Sequence, residues 1–296
     1  MKRKLLTLVI PVSGDLPNLQ NLKASIQMTN EFESEVDIIL LFDEKNTKRS
    51  HQNWEDISNW IPAYVKSYRR SFSSVGAARN FGISETTSSW ITFTDADDVN
   101  FVDNFVSMLH EVNLSETEIA IGQFELIDAK SGEKIPQEKK ISNTDSFQLN
   151  FGLSLGIWRC AFKLESIKEV RFPDMNMAED QIFLARYFNL DRRIHISKNM
   201  VYKYFVGNTG SLTDKVEQVR KIALAIPISI HLARNTKGQY PQLLDTIAIS
   251  QILTGIKHGT LQTQLSSCGQ LLKFLGDGFF RRATQRLHIL IKIAKR

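Results

Sequence analysis

Trp90-Ile91-Thr92-Phe93-Thr94-Asp95-Ala96-Asp97-Asp98 is an apolar run, rich in β-branched and aromatic residues, that stops in three carboxylates within four positions. It reads as a buried strand whose end delivers an anionic site. Carboxylates this close raise one another's pKa unless a cation lies among them. A hard divalent ion, Mn2+ or Mg2+, is the simplest such cation, because it takes carboxylate oxygens and shares its other positions with substrate phosphates. The plainer reading makes Asp97 and Asp98 caps of a helix that begins near Asn100.

The rest of the chain decides between these. With 296 residues, 42% hydrophobic and 23% charged, it has the composition of a soluble globular protein of one large domain or two modest ones. Cys160 and Cys268 fit no CxxC or Cys/His spacing, which argues for a reducing, cytoplasmic setting and against zinc. The basic start, Met1-Lys2-Arg3-Lys4, runs into a short apolar stretch that reaches Pro11, a first strand rather than an export signal. No apolar run approaches the roughly 20 residues of a membrane span. The net charge of +5 is unevenly spread: residues 1–200 carry 23 Lys and Arg against 28 Asp and Glu, residues 201–296 carry 14 against 4. A basic tail of this kind points to nucleic acid or an anionic membrane surface. Nucleic acid would leave the acidic motifs idle, so it is set aside.

Leu5 to Val12 and Val36 to Phe42 are continuous apolar runs of strand length, as expected of strands covered on both faces in a parallel sheet. Between them Leu16, Leu19, Leu22 and Ile26 fall at helical spacing, with Asp15 as cap and Pro17 in the first turn. Further strands are expected near 63–67, 90–94, 118–126 and 192–196, with helices over 75–84 and 101–112 and an exposed loop or hairpin over 128–142. Strands alternating with helices indicate a right-handed, doubly wound α/β layer, in which ligands bind beyond the carboxyl ends of the strands. There is no GxGxxG after the first strand and no GxxxxGK[ST] anywhere, so phosphates must be held another way.

Ser74-Val75-Gly76-Ala77-Ala78-Arg79-Asn80-Phe81-Gly82-Ile83, followed by Ile91 to Asp98, resembles the family 2 glycosyltransferases of the GT-A fold. The opening Thr7-Leu8-Val9-Ile10-Pro11-Val12 is similar to that family's first strand. The resemblance implies an inverting enzyme, of the bacterial surface-polysaccharide type, that moves a sugar from a nucleotide diphosphate sugar, UDP-linked by preference, to a glycan or lipid-linked acceptor. It assigns donor binding to Pro11, Asp43, Gly76, Arg79, Asp95 and Asp97. Asp43 would meet the base or ribose, Arg79 the base or diphosphate, and Asp97 or Asp98 the Mn2+ or Mg2+ ion. His195 is a candidate for the rest of the metal shell. Asp43-Glu44-Lys45-Asn46 departs from the family's usual DDGS-like stretch.

A second acidic pair lies in Phe172-Pro173-Asp174-Met175-Asn176-Met177-Ala178-Glu179-Asp180-Gln181-Ile182. Acids in a first helical turn are favoured by any helix dipole. By resemblance the Glu179-Asp180 pair is the catalytic ED motif, with Asp180 the general base. Val201 to Thr213 resembles the tyrosine-rich segment that closes such domains. The resemblance thus gives a catalytic domain over 1–213, its donor part over about 1–128 and its acceptor part over about 129–213, and leaves 214–296 as a basic helical region. Phe151, Gly152, Gly156 and Trp158 suit either a sugar-binding surface or a core.

At the carboxyl end Phe280, Ala283, Leu287, Leu290, Ile291 and Ala294 share one helix face, and Arg281, His288, Lys292, Lys295 and Arg296 the other, with Ile289 and Ile293 interrupting it. A basic amphipathic helix lies on an anionic membrane, here the inner face of the cell membrane, or docks on the protein's own helices or a second subunit. On the membrane reading a chain ending near Gly278 stays folded. Two other functions stand beside this one: a nucleotidyltransferase or phosphotransferase using the same acidic cluster, and a non-catalytic member of the fold that binds a glycan or partner.

Overall fold

The computed structural model describes residues 3–112, 115–136, 144–175, 177–207, 216–276 and 280–294. In chain order the elements are β1 (Leu6–Ser13), α1 (Gln20–Gln27), β2 (Val36–Asp43), α2 (Lys48–Trp60), β3 (Lys66–Arg70), α3 (Val75–Glu85), β4 (Trp90–Phe93), β5 (Val99–Asn100), α4 (Val102–Val112), β6 (Ile119–Asp128), β7 (Lys134–Ile135), α5 (Thr144–Leu153), β8 (Cys160–Lys163), α6 (Leu164–Ile167), α7 (Glu179–Phe188), β9 (Ile194–Val206), α8 (Val216–Asn235), α9 (Pro241–His258), α10 (Leu261–Gly276) and α11 (Phe280–Ala294). They form two compact units. The first contains Met1–Glu138, Gly156–Met175 and Arg193–Ser211, the second Lys139–Leu155, Asn176–Arg192 and Leu212–Arg296. The units interleave along the chain, whereas the sequence reading divides it into consecutive parts, at about residue 128 and at residue 213.

The first unit holds the sheet, in the order β3-β2-β1-β4-β8-β6-β9-β5, with β7 paired to β6. The apolar runs at β1, β2 and β4 are buried almost throughout and pair in parallel, β1 lying between the other two. From β1 the chain steps to β2 on one side and to β4 on the other, so the strand order reverses at the β1/β4 seam. The parallel, doubly wound layer expected from sequence is confined to β1 through β4. Beyond it β8 runs antiparallel to β4 and β6, while β9 runs parallel to β6.

Local chemistry explains the departures from expectation. Pro17 disfavours helix in the residue before it, and α1 starts only at Gln20, where Asn18 Oδ1 accepts the Gln20 N–H. Asp15 therefore caps nothing and instead accepts the Thr47 hydroxyl. The third strand is shifted to Lys66–Arg70, a largely exposed sheet edge that needs no apolar run. The expected strand at 192–196 and the tyrosine-rich stretch after it are one strand, β9, whose pairing with β6 shifts register near Gln123. The remainder of that stretch, 208–213, lies outside the described residues, as do 137–142 of the expected hairpin. α3 begins where Ser74 Oγ accepts the Ala77 N–H. It packs so closely on β1 that a Cβ on Gly82 would overlap Val9 Cγ1.

The second unit is helical: α5, α7 and α8 through α11. Phe147 and Phe151 of α5 are fully buried, stacked 5.1 Å apart and in ring contact with Phe188. In the first unit, Trp158 is buried and stacked 4.5 Å from Tyr202 and 5.2 Å from Tyr204. The aromatics over 147–158 are core, not a sugar-binding surface. α11 docks on α9 through Arg282 and Arg286 and through Ile289, one of the residues that interrupt the expected polar face. Asp245, fully buried, takes Arg286 Nε at 3.0 Å and Arg282 Nε at 3.2 Å, and Ile289 is sealed at 0% exposure. Burial pushes the Asp245 carboxyl upward against the pull of Arg286 and Arg282. The expected apolar face is turned out, with Leu287 at 49% and Ile291 at 45% exposure. α11 is thus built into this unit and is no free-standing appendage.

Candidate active site

The strand order reverses at β1/β4, and the carboxyl ends of the strands at such a reversal are the position where open α/β sheets bind ligands. Pairing continues one residue beyond β4, where the Thr94 N–H reaches Val9 O at 3.0 Å. The chain then turns, with Asp98 N–H on Asp95 O at 3.2 Å, so the three carboxylates are spread around a turn. Asp95 is gripped from beneath: Arg79 Nη2 lies 2.7 Å from its Oδ1 and is nearly buried, its guanidinium 5.5 Å from the Phe172 ring. The Asp95 N–H donates to the Tyr202 hydroxyl at 3.1 Å. Arg79 therefore braces Asp95 from the interior, where sequence reading had it meet the base or diphosphate.

Asp97 and Asp98 part company. Asp97 is half-buried, its backbone carbonyl held by Asn21 Nδ2 at 2.6 Å. Asp98 is sealed at 2% exposure, with Oδ1 accepting the Phe205 N–H at 2.7 Å and Oδ2 bonded to the Tyr202 hydroxyl at 3.1 Å. Burial, reinforced by the charges of Asp97 and Asp95, pushes the Asp98 carboxyl up to about 9. Of the two residues that the resemblance offers to the metal, Asp98 is the one that ties the turn to β9. Neither residue caps α4, which starts at Val102.

At the neighbouring strand ends, Pro11 is half-buried on β1 opposite Leu41, and Ser13 lies opposite Asp43. Asp43 Oδ1 accepts the Phe72 N–H at 2.9 Å, and its Oδ2 pairs with Lys45 Nζ at 2.6 Å. Lys45, in the stretch that departs from the family's usual one, thus pairs with the carboxylate that the resemblance assigns to the nucleotide. Gly76 serves packing: a Cβ there would collide with Pro173 O. That contact belongs to a tether, since Asn80 donates to Phe172 O and accepts the Phe172 N–H, both at 3.0 Å. Asp174 accepts the Ser74 hydroxyl at 2.6 Å and that of Ser73 at 2.9 Å, which holds its carboxyl below the usual range. His195 Nε2 pairs with Glu111 at 3.1 Å.

In the second unit the acidic pair opens α7. Ala178, just before it, has φ 60° and ψ 16°, and among the described residues it is the one non-glycine with positive φ. Such left-handed backbone costs energy and persists where surrounding structure enforces it. Glu179 is buried, Asp180 half-buried with Oδ1 accepting the Gln181 N–H at 2.8 Å. Gln181 Oε1 accepts from Gln251 Nε2 at 3.0 Å, and Gln251, buried in α9, accepts the Ser229 hydroxyl. This line of amides behind the acidic pair has no sequence signature, because no local pattern relates residues 181, 229 and 251. Tyr202 and Asn80 were quoted within motifs, but only their partners reveal their tasks.

Among the described residues no group of three or more His, Cys, Asp or Glu converges as a metal cage. A hard cation can also be held in the other common manner, by one carboxylate completed by ligand phosphates, and Asp97 is a half-buried carboxylate of the first-unit turn.

Three comparisons bear on this arrangement. Residues 7–170 match the model of glycosyl transferase family 2. No curated protein sequence matches the chain. Among solved structures, S. aureus TarS 1–349 in complex with UDP-GlcNAc superposes with a TM-score of 0.67 at 14% identity, covering 92% of this chain and 80% of that one. The mannosyltransferase PcManGT from Pyrobaculum calidifontis, in complex with GDP-Man and Mn2+, gives 0.62 at 13% identity, covering 100% and 81%. These likenesses establish the GT-A fold. A family match over more than half of the chain, embracing Pro11, Asp43, Arg79 and Asp95 to Asp98, establishes more: the chain belongs to glycosyl transferase family 2 and is a glycosyltransferase.

Proposed function

We propose that this glycosyltransferase takes its sugar from a nucleotide diphosphate sugar, with UDP the first nucleotide to test, and transfers it with inversion to a hydroxyl of a glycan or lipid-linked acceptor. The observation that carries the proposal is the braced acidic turn at the carboxyl end of β4, where the strand order reverses. Arg79 and Tyr202 fix Asp95, Asp98 anchors the turn, and Asp97 lies half-buried between them in the same turn. Support for the donor class comes from the fold relatives, bound to UDP-GlcNAc and to GDP-Man.

Asp97 would hold Mn2+ or Mg2+ together with the donor diphosphate; such an ion, when bound, offsets charge that develops on the leaving group. Asp95, immobilised by Arg79, orients the donor beside it. Asp180 is the proposed base. It takes the proton of the acceptor hydroxyl while that oxygen bonds to the anomeric carbon and the bond from that carbon to the phosphate oxygen breaks. Because Ala178 and Gln181 hold the first turn of α7, the carboxylate needs little reorganisation to act, which is where a positioned base gains its advantage. The proposal sets the reaction in the cytoplasm, where a reducing environment keeps Cys160 and Cys268 as the free thiols observed.

The test is a panel of nucleotide sugars scored by thermal stabilisation with and without Mn2+. A donor that stabilises only with the metal supports the reading; stabilisation by nucleoside triphosphates alone would favour nucleotidyl transfer.

A further inference from the structure

α10 is tied to the second unit by one side only. Ser267 and Phe274 are buried, and a Cβ on Gly255 of α9 would collide with Ser267 Oγ, so the two helices are in close contact. On the other side Leu261, Leu265 and Leu272 are exposed at 73%, 66% and 74%, more fully than Leu287 or Ile291 of α11. Their spacing of four and seven residues puts all three on one helix face, with the exposed Cys268 between them. α10 and α11 are joined, because Arg286 donates to Phe274 O at 2.6 Å and stacks 3.8 Å over the Phe274 ring. Two coupled helices thus hold five large aliphatic side chains in water.

Charge selects the occupant of this face. Residues 246–296 contain eight Lys and Arg but a single carboxylate, Asp277. Arg282 and Arg286 are committed to Asp245, which leaves Lys257, Lys273 and Lys292 towards the surface. A second copy would bring like charge against like charge, whereas an anionic bilayer offers both the apolar depth and the opposite charge. No described helix is long and apolar enough to cross a membrane. We propose that α10, assisted by α11, docks this enzyme on an anionic phospholipid surface, with Leu261, Leu265 and Leu272 entering the interface. The sequence had pointed to α11 alone; the structure turns half of α11 inward and assigns the larger part to α10.

The test uses the full chain and vesicles of phosphatidylcholine with or without phosphatidylglycerol. The chain is expected to co-sediment with phosphatidylglycerol vesicles at low salt, to be released by high salt and to ignore phosphatidylcholine. Replacing Leu265 and Leu272 by Gln should weaken vesicle binding about tenfold or more while the melting curve is kept, since both side chains are exposed. An environment-sensitive fluorophore on Cys268 should shift to the blue on the same vesicles. Absence of binding to anionic vesicles, binding indifferent to the α10 substitutions, or an unshifted fluorophore would overturn the proposal. So would a dimer in solution that the Leu265→Gln/Leu272→Gln variant dissociates, which would make the face a self-association surface. None of these readouts depends on donor chemistry.

Discussion

Asp97 and Asp98 are neighbours in sequence with opposite surroundings, and they should respond oppositely to the same substitution. Asp97→Asn removes the half-buried carboxylate and is expected to abolish metal-dependent binding of nucleoside diphosphate in calorimetry with Mn2+, the melting temperature being unchanged. Asp98→Asn keeps the shape of the protonated carboxyl, so Mn2+-dependent binding should survive; loss in both variants would return Asp98 to the metal shell. Asp180→Asn should lower turnover about 10²- to 10⁴-fold with donor affinity little altered, the signature of a base that acts on the acceptor. Retained turnover would leave the acidic pair of α7 a structural feature. The carboxylates themselves were legible in the sequence, since a β-branched run ending in acids has few other readings. Which of them is sealed was not, because burial of Asp98 depends on Tyr202 and Phe205, more than a hundred positions away.

Elements with a continuous or periodic apolar pattern were legible: β1, β2, β4, α3 and α4 stand close to where their sequences put them. Those shaped by long-range pairing were not, as β3 and β9 show, because an edge strand or a register shift leaves no local trace. The same holds for α11, where a hydrophobic face drawn from spacing alone pointed outward and two arginines turned in toward Asp245. Asp245→Leu would strip Arg282 and Arg286 of their buried partner, and the expected loss is about 3–5 kcal/mol in chemical denaturation. For the same reason a chain cut after Gly278 should be markedly destabilised, opposite to what a detachable membrane helix would show. Gln251→Leu takes from the half-buried amide of Gln181 its donor, while the Ser229 hydroxyl keeps Ala225 O, at a cost of about 1 kcal/mol. If the amides position the acidic pair, its turnover should fall beyond what the loss of stability explains, measured at a temperature where the variant is fully folded.

For the molecule as a whole, the sequence conveyed the fold family and the polarity of charge, both of which survive averaging over many residues. It did not convey the interleaving of the two compact units, since a division of the chain is visible only once contacts are known. That interleaving has a consequence for how the protein comes to be folded. β6 is flanked by β8 and β9, supplied by Cys160–Lys163 and Ile194–Val206, so the sheet begun by the first hundred residues cannot be finished until residue 206 is available. Such distant pairings close long loops and fold slowly. A chain still emerging from the ribosome would expose the unpaired edges of β4 and β6 while the intervening helices are made. A released fragment spanning 1–138 is therefore expected to aggregate rather than fold, and full-length refolding to gain stable amide protection in β4, β6, β8 and β9 together, as a late cooperative step in pulsed hydrogen exchange.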